Sequence, residues 1–334
     1  MTKNSLRFFI FLAVGGSLAC CGYKVSSSNE DDSATNSDTT HPIDTNTDSD
    51  TYSDTATGFD TNVDTATASD DIDSAIDSET DSLSTDCDMD CMEIVWLSIP
   101  GGTYQMGNAD GDYYETPVHP VTVPNFEMTM TEITVWQYSE CVDSGICTAP
   151  PPGYDVPIFG TTDDNWGEPG YGNHPINEVS WEDGNRFCEW IGARLPTDAE
   201  WEYAARNGGQ AVLVPWEAGA ASCDYAVLKG DSYVDGCDTG RTMPVCSKLA
   251  GNTVHGLCDM IGNVGEWVQD YFHESYEGAP DDGSAWEDVS STRVIRVTSY
   301  TSIPEFVRAT TREGQPETTR HPTTGFRCAR SMTK

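Results

Sequence analysis

The sequence predicts an α+β, loop-rich domain that follows a disordered, acidic N-terminal tether. At Met92 the composition changes abruptly from Ser, Thr, Asp and Ala to aromatic and β-branched residues. Beyond this point, short extended runs bounded by Gly and Pro predict strands, and segments that begin with polar N-caps predict helices. We therefore divide the chain into a signal segment (1–20), a tether (21–91) and a folded domain (92–334).

The first twenty residues have the features of a bacterial export signal. Lys3 and Arg7 precede an apolar stretch, Phe8 to Val14, which is too short to cross a bilayer of about 30 Å as a helix. The small residues that follow lead to Cys20 and Cys21, and this segment resembles the lipobox at which bacterial lipoproteins are acylated. The alanine before Cys20 favours that position, which we adopt, whereas the leucine three residues before Cys21 favours Cys21. We expect an exported protein anchored to a bacterial membrane, at the cell surface or in the periplasm; a signal that is merely cleaved is the alternative.

The segment from 21 to 91 is predicted to be a flexible spacer. It consists mainly of Ser, Thr, Asp and Ala, and so few apolar groups cannot offset the entropy lost when a backbone is ordered. As a flexible coil it would span roughly 45 Å. The formal net charge of the chain is −38, and no Lys or Arg occurs between Lys24 and Arg186. Nucleic-acid binding needs clustered cations, so no nucleic-acid partner is predicted, and the membrane contact would rest on the acyl chains.

The folded domain begins with predicted strands at Ile94–Leu97 and Val118–Val123, and turns at Gly101-Gly102 and Pro124-Asn125. Three helices are predicted from capping pairs, in which a hydroxyl residue is followed three positions later by a polar residue that can bond back to it. The pairs are Thr134 with Gln137, Ser180 with Asp183 and Thr197 with Glu200. The third helix is predicted to end near Arg206, where an Asn-Gly-Gly run follows.

Six segments of this domain have an order and spacing similar to those of the formylglycine-generating enzyme family, the sulfatase-modifying factor domain. They are Ile99–Gly107, Glu132–Thr134, His174–Trp181, Arg194–Arg206, Gly262–Trp267 and Gly325–Cys328. The run RLPTDAEWEYAAR, at residues 194–206, is the most specific of them. The resemblance covers nearly all of residues 92–334 and implies a C-type-lectin-like fold of small sheets, helices and much irregular structure.

The resemblance also implies where catalytic cysteines would lie. Catalytic members of the family oxidise a cysteine of a sulfatase to formylglycine, using O₂ and a copper(I) ion held by two cysteines. In this sequence the two positions fall near Ser302 and Val307, and no cysteine lies between Cys258 and Cys328. Copper(I) is a soft ion that prefers thiolate, which neither a hydroxyl nor an isopropyl group replaces. We therefore predict no catalytic residue from the family's set and no copper.

A calcium site is implied by the run from Asp259 to Glu266. The family's calcium ligands match Asp259, Gly262, Val264 and Glu266, two carboxylates that bracket a turn with two backbone carbonyls. Calcium takes six to eight hard oxygen ligands, so this donor set is suitable. The alternative is a turn with solvated carboxylates, but an unpaired Glu266 among apolar neighbours would be costly. Gly265 stands where the family has Trp, and we expect looser packing there.

Twelve cysteines in an exported chain predict disulfides. Cys141 and Cys147 are close enough in sequence to bridge across a turn, and the resemblance implies a bridge between Cys188 and Cys328. Four further cysteines would pair among themselves in one of three ways: Cys223, Cys237, Cys246 and Cys258. The state of Cys87 and Cys91, at the end of the tether, stays open.

Five residues are candidates for a ligand groove. Trp166 and Trp286 lie in loops rich in Asp and Gly and could stack on a sugar or a peptide. Arg308, Arg312 and Arg320 lie in the segment where the family builds its active-site face. They either line a groove for an anionic ligand or neutralise the acidic half of the chain.

These observations favour a lipid-anchored binding module, stabilised by calcium and disulfides, with an unidentified protein or carbohydrate ligand. The alternative from the enzyme class is a formylglycine-generating-type oxidoreductase that acts on a sulfatase or another partner protein. A structural surface protein without a specific ligand is the third hypothesis. Free thiols and copper binding would distinguish the enzyme from the other two.

Overall fold

A computed structural model describes residues 93–151, 164–216 and 220–332 of the chain. The signal segment, the lipidation candidates Cys20 and Cys21, the tether, and Cys87 and Cys91 all lie outside the described residues. Among the described residues, no helix combines the length and the apolar character that a membrane crossing requires.

Nine short strands form three sheets in the described part of the chain. The first sheet has the antiparallel order β1-β4-β9, with β1 at Trp96–Ile99, β4 at Phe126–Thr129 and β9 at Ala329–Ser331. The second pairs β2 (Gly102–Met106) with β3 (His119–Val123). The third has the order β7-β6-β5-β8, and its strands are β5 at Gly265–Tyr271, β6 at Arg293–Arg296, β7 at Glu313–Gln315 and β8 at Thr324–Phe326. Only β5 and β8 run parallel among these pairs.

The first strand lies two residues later than predicted. Pairing with β4 places Ile99 opposite Phe126, and both side chains are buried. Ile94 lies before the strand and packs at the edge of a second apolar cluster. The apolar pattern alone did not show where the strand would begin, because its bounds are set by its pairing with β4, which lies about thirty residues further along the chain.

The three predicted helix starts are confirmed. The helices are α1 (Val135–Asp143), α2 (Trp181–Trp190) and α3 (Asp198–Ala205), and a single turn follows at Asp235–Asp238. Each N-cap hydroxyl accepts a hydrogen bond from the backbone N–H three residues on, at 3.2 Å for Thr134, 3.3 Å for Ser180 and 3.0 Å for Thr197. Such caps are typically worth about 1 kcal/mol each.

The third helix ends where the sequence predicts. Asn207, Gly208 and Gly209 have φ values of 53°, 78° and 76°, in the left-handed region that glycine adopts readily. The N–H groups of both glycines donate to the carbonyl of Tyr203, at 3.0 and 2.9 Å. These bonds give a hydrogen-bond donor to a backbone carbonyl that would otherwise have none at the helix end.

Two apolar clusters share the core. The larger contains residues of β1 to β4 and α3, among them Ile99, Met128 and Trp201. The second is centred on α1 and α2 and contains Tyr138, Phe187, Trp267 and Phe326. Trp267 belongs to β5 and Phe326 to β8, so the four-stranded sheet contributes to the second cluster through these rings.

Arginine and carboxylate side chains are buried between α3 and the end of β6. The Arg296 side chain is fully buried, and its Nη1 donates to Glu202 Oε2 at 3.1 Å. Its Nη2 lies 2.6 Å from Asp198 Oδ1, as an ion pair rather than an aligned hydrogen bond. Arg206 Nη1 donates to the other oxygen of Glu202 at 2.8 Å. The helix is therefore joined to the sheet by paired charges as well as by apolar packing.

All eight cysteines of the described residues form disulfides. The predicted bridges Cys141–Cys147 and Cys188–Cys328 are present. Of the three pairings left open for the other four cysteines, the structure has Cys223–Cys237 and Cys246–Cys258. The Cys188–Cys328 bridge has a sequence separation of 140 residues and joins α2 to the segment between β8 and β9.

We expect the long bridge to stabilise the domain much more than the short one. Loop-closure entropy gives about 5 kcal/mol for the Cys188–Cys328 loop and about 2 kcal/mol for the Cys141–Cys147 loop. Guanidinium unfolding of the full chain should therefore show a larger loss for Cys188→Ala/Cys328→Ala than for Cys141→Ala/Cys147→Ala. All four cysteines are buried, so the cavity costs are comparable. Equal losses would contradict the loop-entropy account.

Candidate functional site

The predicted calcium loop is a tight turn that leads into β5. Asp259, Gly262 and Asn263 have φ values of 54°, 88° and 55°, so three of its residues adopt the left-handed region. Gly262 lies against the backbone of Val227, where a Cβ would come within 2.5 Å of the carbonyl oxygen. The turn therefore requires glycine at this position, and Asn263 N donates to the same carbonyl at 2.9 Å.

Glu266, at the end of the loop, is buried and bound to a guanidinium. Arg327 Nε and Nη2 donate to its two oxygens, each at 2.8 Å. Trp201 Nε1 donates to Glu266 Oε2 at 2.7 Å. Arg327 also donates to the carbonyl of Cys258 at 2.9 Å. A cation at Glu266 would therefore share carboxylate oxygens with these donors.

A third carboxylate, which sequence analysis missed, lies in the same place. Glu132 is fully buried, its Oε1 accepts from Val264 N at 3.3 Å, and its Oε2 accepts from Asn263 Nδ2 at 3.2 Å. Asp259 Oδ2 accepts from Cys246 N at 2.6 Å. Glu132 and Arg327 both belong to segments that carry the family resemblance, which is the sequence signal that could have directed attention to them.

Two of the carboxyl groups in this cluster resist ionisation. Burial, and then repulsion from Asp259 and Glu266, raise the pKa of Glu132 well above its usual value. Burial raises the pKa of Asp259 to about 6. If all three carboxyl groups ionised, Arg327 would leave two negative charges uncompensated in a buried site, which is unfavourable without a cation.

The oxygen groups of this loop are of the chemical kind that a hard divalent cation prefers. Asp259 and Glu266 supply carboxylate oxygens, and the turn between them supplies backbone carbonyls, all of them ligands that calcium accepts. Within residues 93–151, 164–216 and 220–332, no three or more His, Cys, Asp or Glu side chains are grouped to hold a metal ion. A calcium ion here would consequently depend on the carbonyls of Gly262 and Val264 as well as on the two carboxylates.

The residues at the family's copper positions have structural contacts of their own. Ser302 Oγ accepts from Ser299 N at 3.0 Å, within a turn. Val307 is partly buried and packs against the larger apolar cluster. A one-turn 3-10 helix at Pro304–Phe306 separates them. Neither side chain offers a soft ligand, and every described cysteine is bonded to another.

The packing beside the calcium loop is closed, which corrects our expectation at Gly265. A Cβ at this residue would lie 2.9 Å from the carbonyl oxygen of Arg296 and 3.3 Å from the Cα of Val297. The backbone at the end of β6 therefore lies directly against Gly265, in the space that a side chain at this residue would need. The expectation of looser packing considered the lost ring without the neighbouring strand.

The two tryptophans of the predicted groove are packed within the domain. Trp286 is buried and stacks on His273, with ring centroids 3.7 Å apart. Trp166 is partly buried and meets Tyr138 edge to face, with centroids 6.0 Å apart. Their loops are rich in Asp and Gly, but loop composition did not show that the rings turn inward.

The three arginines of the predicted groove pair with groups inside the domain. Arg308 pairs with Glu115 and Asp112. Arg312 is buried, with Nε 3.5 Å from Asp198 Oδ2, and Arg320 pairs with Asp183 at 2.5 Å. Arg312 also donates to the carbonyl of His273, the residue that stacks on Trp286, so these two predicted groove residues are neighbours with their polar and aromatic groups already engaged inside the domain. Of the two interpretations offered for the arginines, neutralisation of acidic residues agrees with these contacts.

Comparisons with known proteins identify the family to which the chain belongs. The sulfatase-modifying factor enzyme 1-like domain matches residues 80–332. A formylglycine-generating enzyme of Streptomyces coelicolor is 28% identical over 282 residues, covering 70% of this chain and 88% of that enzyme. The serine/threonine-protein kinase pkn1 of Chlamydia pneumoniae is 30% identical over 248 residues, covering 70% of this chain. The chain spans only 37% of that kinase's length.

A solved structure agrees with the fold. The structure of PvdO from Pseudomonas aeruginosa matches with a TM-score of 0.59 and 28% identity, over 71% of this chain and 94% of that one. The match includes the mixed, loop-rich architecture that the sequence predicts. With a family match that extends over residues 80–332, the chain belongs to the sulfatase-modifying factor enzyme 1-like domain family.

Proposed function

We propose that this protein is an extracytoplasmic, lipid-anchored binding module that does not carry out the copper-dependent oxidation of its enzymatic relatives. One observation carries the proposal: the copper-cysteine positions hold Ser302 and Val307, and all eight described cysteines are bonded in disulfides. Without these two thiolates the ligand pair that the family uses for copper(I) is missing. The fold would then present surfaces for recognition, since one fold can host unrelated functions.

Anchoring and export are part of the same proposal. The export signal, the lipobox-like segment at Cys20 or Cys21, and the acidic tether would place the domain outside a bacterial membrane. The four disulfides are consistent with an oxidising compartment, because such bonds persist mainly outside the cytoplasm.

Calcium is proposed as a structural ion at the loop before β5. The support is that three buried carboxyl groups, Glu132, Asp259 and Glu266, lie beside a single guanidinium, Arg327, and would carry uncompensated negative charge if ionised. Calcium would compensate this charge and fasten the turn to the start of the sheet. The ion would act on stability, because the proposal assigns no reaction to it.

The alternative is an oxidoreductase of the formylglycine-generating type. It is favoured by the similarity to the Streptomyces coelicolor enzyme, of which the chain covers 88%. Such an enzyme would oxidise a cysteine of a sulfatase or another partner protein, and it would need ligands other than those that the family uses. The following experiment separates the two hypotheses.

We expect no stoichiometric copper(I) binding and no oxidation of a sulfatase-derived cysteine peptide. The test uses the full chain from an oxidising compartment, in a Cys87→Ser/Cys91→Ser background so that these two cysteines cannot supply ligands. Metal analysis and mass spectrometry of the peptide provide the measurements. A variant that also carries Ser302→Cys and Val307→Cys is the positive control for metal uptake. The binding-module proposal would be refuted if the chain without these two substitutions bound one copper ion and oxidised the peptide.

We expect about one calcium ion per chain, and lower stability after chelation. At a calcium concentration a hundred times the Kd, a ligand that binds only the native state adds about 2.7 kcal/mol to the free energy of unfolding. Asp259→Asn should reduce this calcium-dependent gain strongly. Asp110→Asn is the matched control, because Asp110 is exposed and distant in sequence from the loop.

Atomic emission for metal content, and guanidinium unfolding with calcium or EGTA, are the two measurements. An unfolding curve that is the same with calcium and with EGTA would reject the calcium proposal. A calcium effect of equal size in Asp259→Asn and Asp110→Asn would reject the assigned loop.

A further inference from the structure

A small polar groove lies at the end of β5 that is remote from the calcium loop. Its volume is about 260 Å³, somewhat below the roughly 300 Å³ at which pockets for drug-sized ligands begin. It is lined by Tyr271, Arg293, Glu317 and the run Val289–Thr292, together with Pro316 and Thr318. Tyr271 and Arg293 are register partners on β5 and β6. About 20 Å of strand separates this end of β5 from Gly265.

Arg293 is held rigidly at the groove by two aromatic rings. Its Cζ lies 3.9 Å from the ring centroid of Trp181 and 3.5 Å from that of Tyr271. Trp181 is itself fixed, since its Nε1 donates to the carbonyl of Val268 at 2.8 Å. Contacts of this kind leave the edge of the guanidinium as its hydrogen-bonding surface.

The guanidinium edge is incompletely bonded. Nη1 donates to the carbonyl of Gln269 at 2.8 Å. Nε is buried and has no hydrogen-bond acceptor among the described residues. The Glu317 carboxylate is near, but its Oε2 lies 3.8 Å from Nε, beyond hydrogen-bond distance. A donor without an acceptor is unfavourable, so an acceptor that reaches Nε when the largely exposed Glu317 side chain shifts aside would be stabilised.

The neighbouring groups determine what that external acceptor is. A carboxylate or phosphate would accept from Arg293 but would be repelled by Glu317, in a chain whose net charge is already −38. A hydroxyl both accepts and donates, so it can accept from the arginine and donate to the glutamate. A hydroxyl would bridge the two groups once the exposed Glu317 side chain moves slightly away from Nε.

Several further hydroxyl groups and an apolar edge complete the groove. Ser290, Ser291, Thr292 and Thr318 line it and carry groups that both donate and accept. Val289 is 82% exposed and provides an apolar surface beside them. Polar and apolar contacts side by side are suited to a sugar ring, which presents hydroxyls at its rim and C–H groups on its faces.

We infer that this groove binds a neutral sugar unit of a carbohydrate, with hydroxyls bridged between Arg293 and Glu317. The inference deepens the proposed binding role and rests on it, because it names the class of ligand that the module takes. It uses none of the calcium loop and none of the copper-cysteine positions.

The test measures sugar binding to the full chain in detergent by calorimetry and saturation-transfer NMR. The probes are glucose, galactose, mannose and N-acetylglucosamine with their β-linked disaccharides, and glucuronate and galacturonate as carboxylated counterparts. We expect saturable binding of at least one neutral sugar and weaker binding of the hexuronates. Glu317→Ala should weaken neutral-sugar binding about tenfold, because one charged hydrogen-bond acceptor is lost.

Glu317 is largely exposed, so its replacement leaves the fold intact, and unfolding curves will verify this. Glu277→Ala, at another exposed glutamate, is the matched control and should bind like wild type. Ser291→Trp should abolish binding by filling the groove without touching Arg293. Ser98→Trp, at an exposed position on β1, controls for the added ring.

Two results would overturn the inference. One is the absence of binding to every neutral sugar, which would leave the groove as a site for water alone. The other is a preference for hexuronates that strengthens in Glu317→Ala, which would show an anion site. Either result leaves the binding-module proposal standing, whereas copper-dependent peptide oxidation would refute that proposal without altering the outcome of the sugar titrations.

Discussion

The buried ion pair between Arg327 and Glu266 is the contact on which the core arrangement depends. Arg327 follows β8 and Glu266 lies on β5, and both are almost completely inaccessible to solvent. The same guanidinium donates to carbonyls of Thr129 and Cys258, and the same carboxylate accepts from Trp201 on α3. One pair thereby joins two sheets, a helix and the candidate metal loop. Removing one partner of such a pair typically costs about 3–5 kcal/mol, since the other charge is left buried.

Local features of the fold could be predicted from sequence because their physics is local. Each N-cap hydroxyl acts on an N–H three residues away, and the Asn-Gly-Gly run ends α3 through its own backbone. Long-range contacts were different. Arg308 meets Glu115 across 193 residues, and no pattern in either segment indicates the other. For the same reason Trp166 and Trp286 were placed on a surface although their rings pack inward.

The candidate metal loop shows the same division. Family resemblance supplied Asp259, Gly262, Val264 and Glu266, and the structure shows where their neighbours lie. The resemblance did not single out Glu132, whose position between β4 and α1 brings it to the loop. Nor did it anticipate that the β6 backbone would occupy the space beside Gly265. In each case a residue's role depends on which strand lies next to it, and that is a property of the assembled sheet.

The Cys188–Cys328 bridge has a consequence for how the domain withstands proteases. The segment between these residues includes most of the loops, several of them with exposed side chains such as Tyr233, Leu249 and Val289. A single cut anywhere between the two cysteines would leave the two resulting fragments covalently joined. Nicking of a loop would therefore not shed the C-terminal part from the part that precedes Cys188, and release would require a second cut or reduction of the bridge.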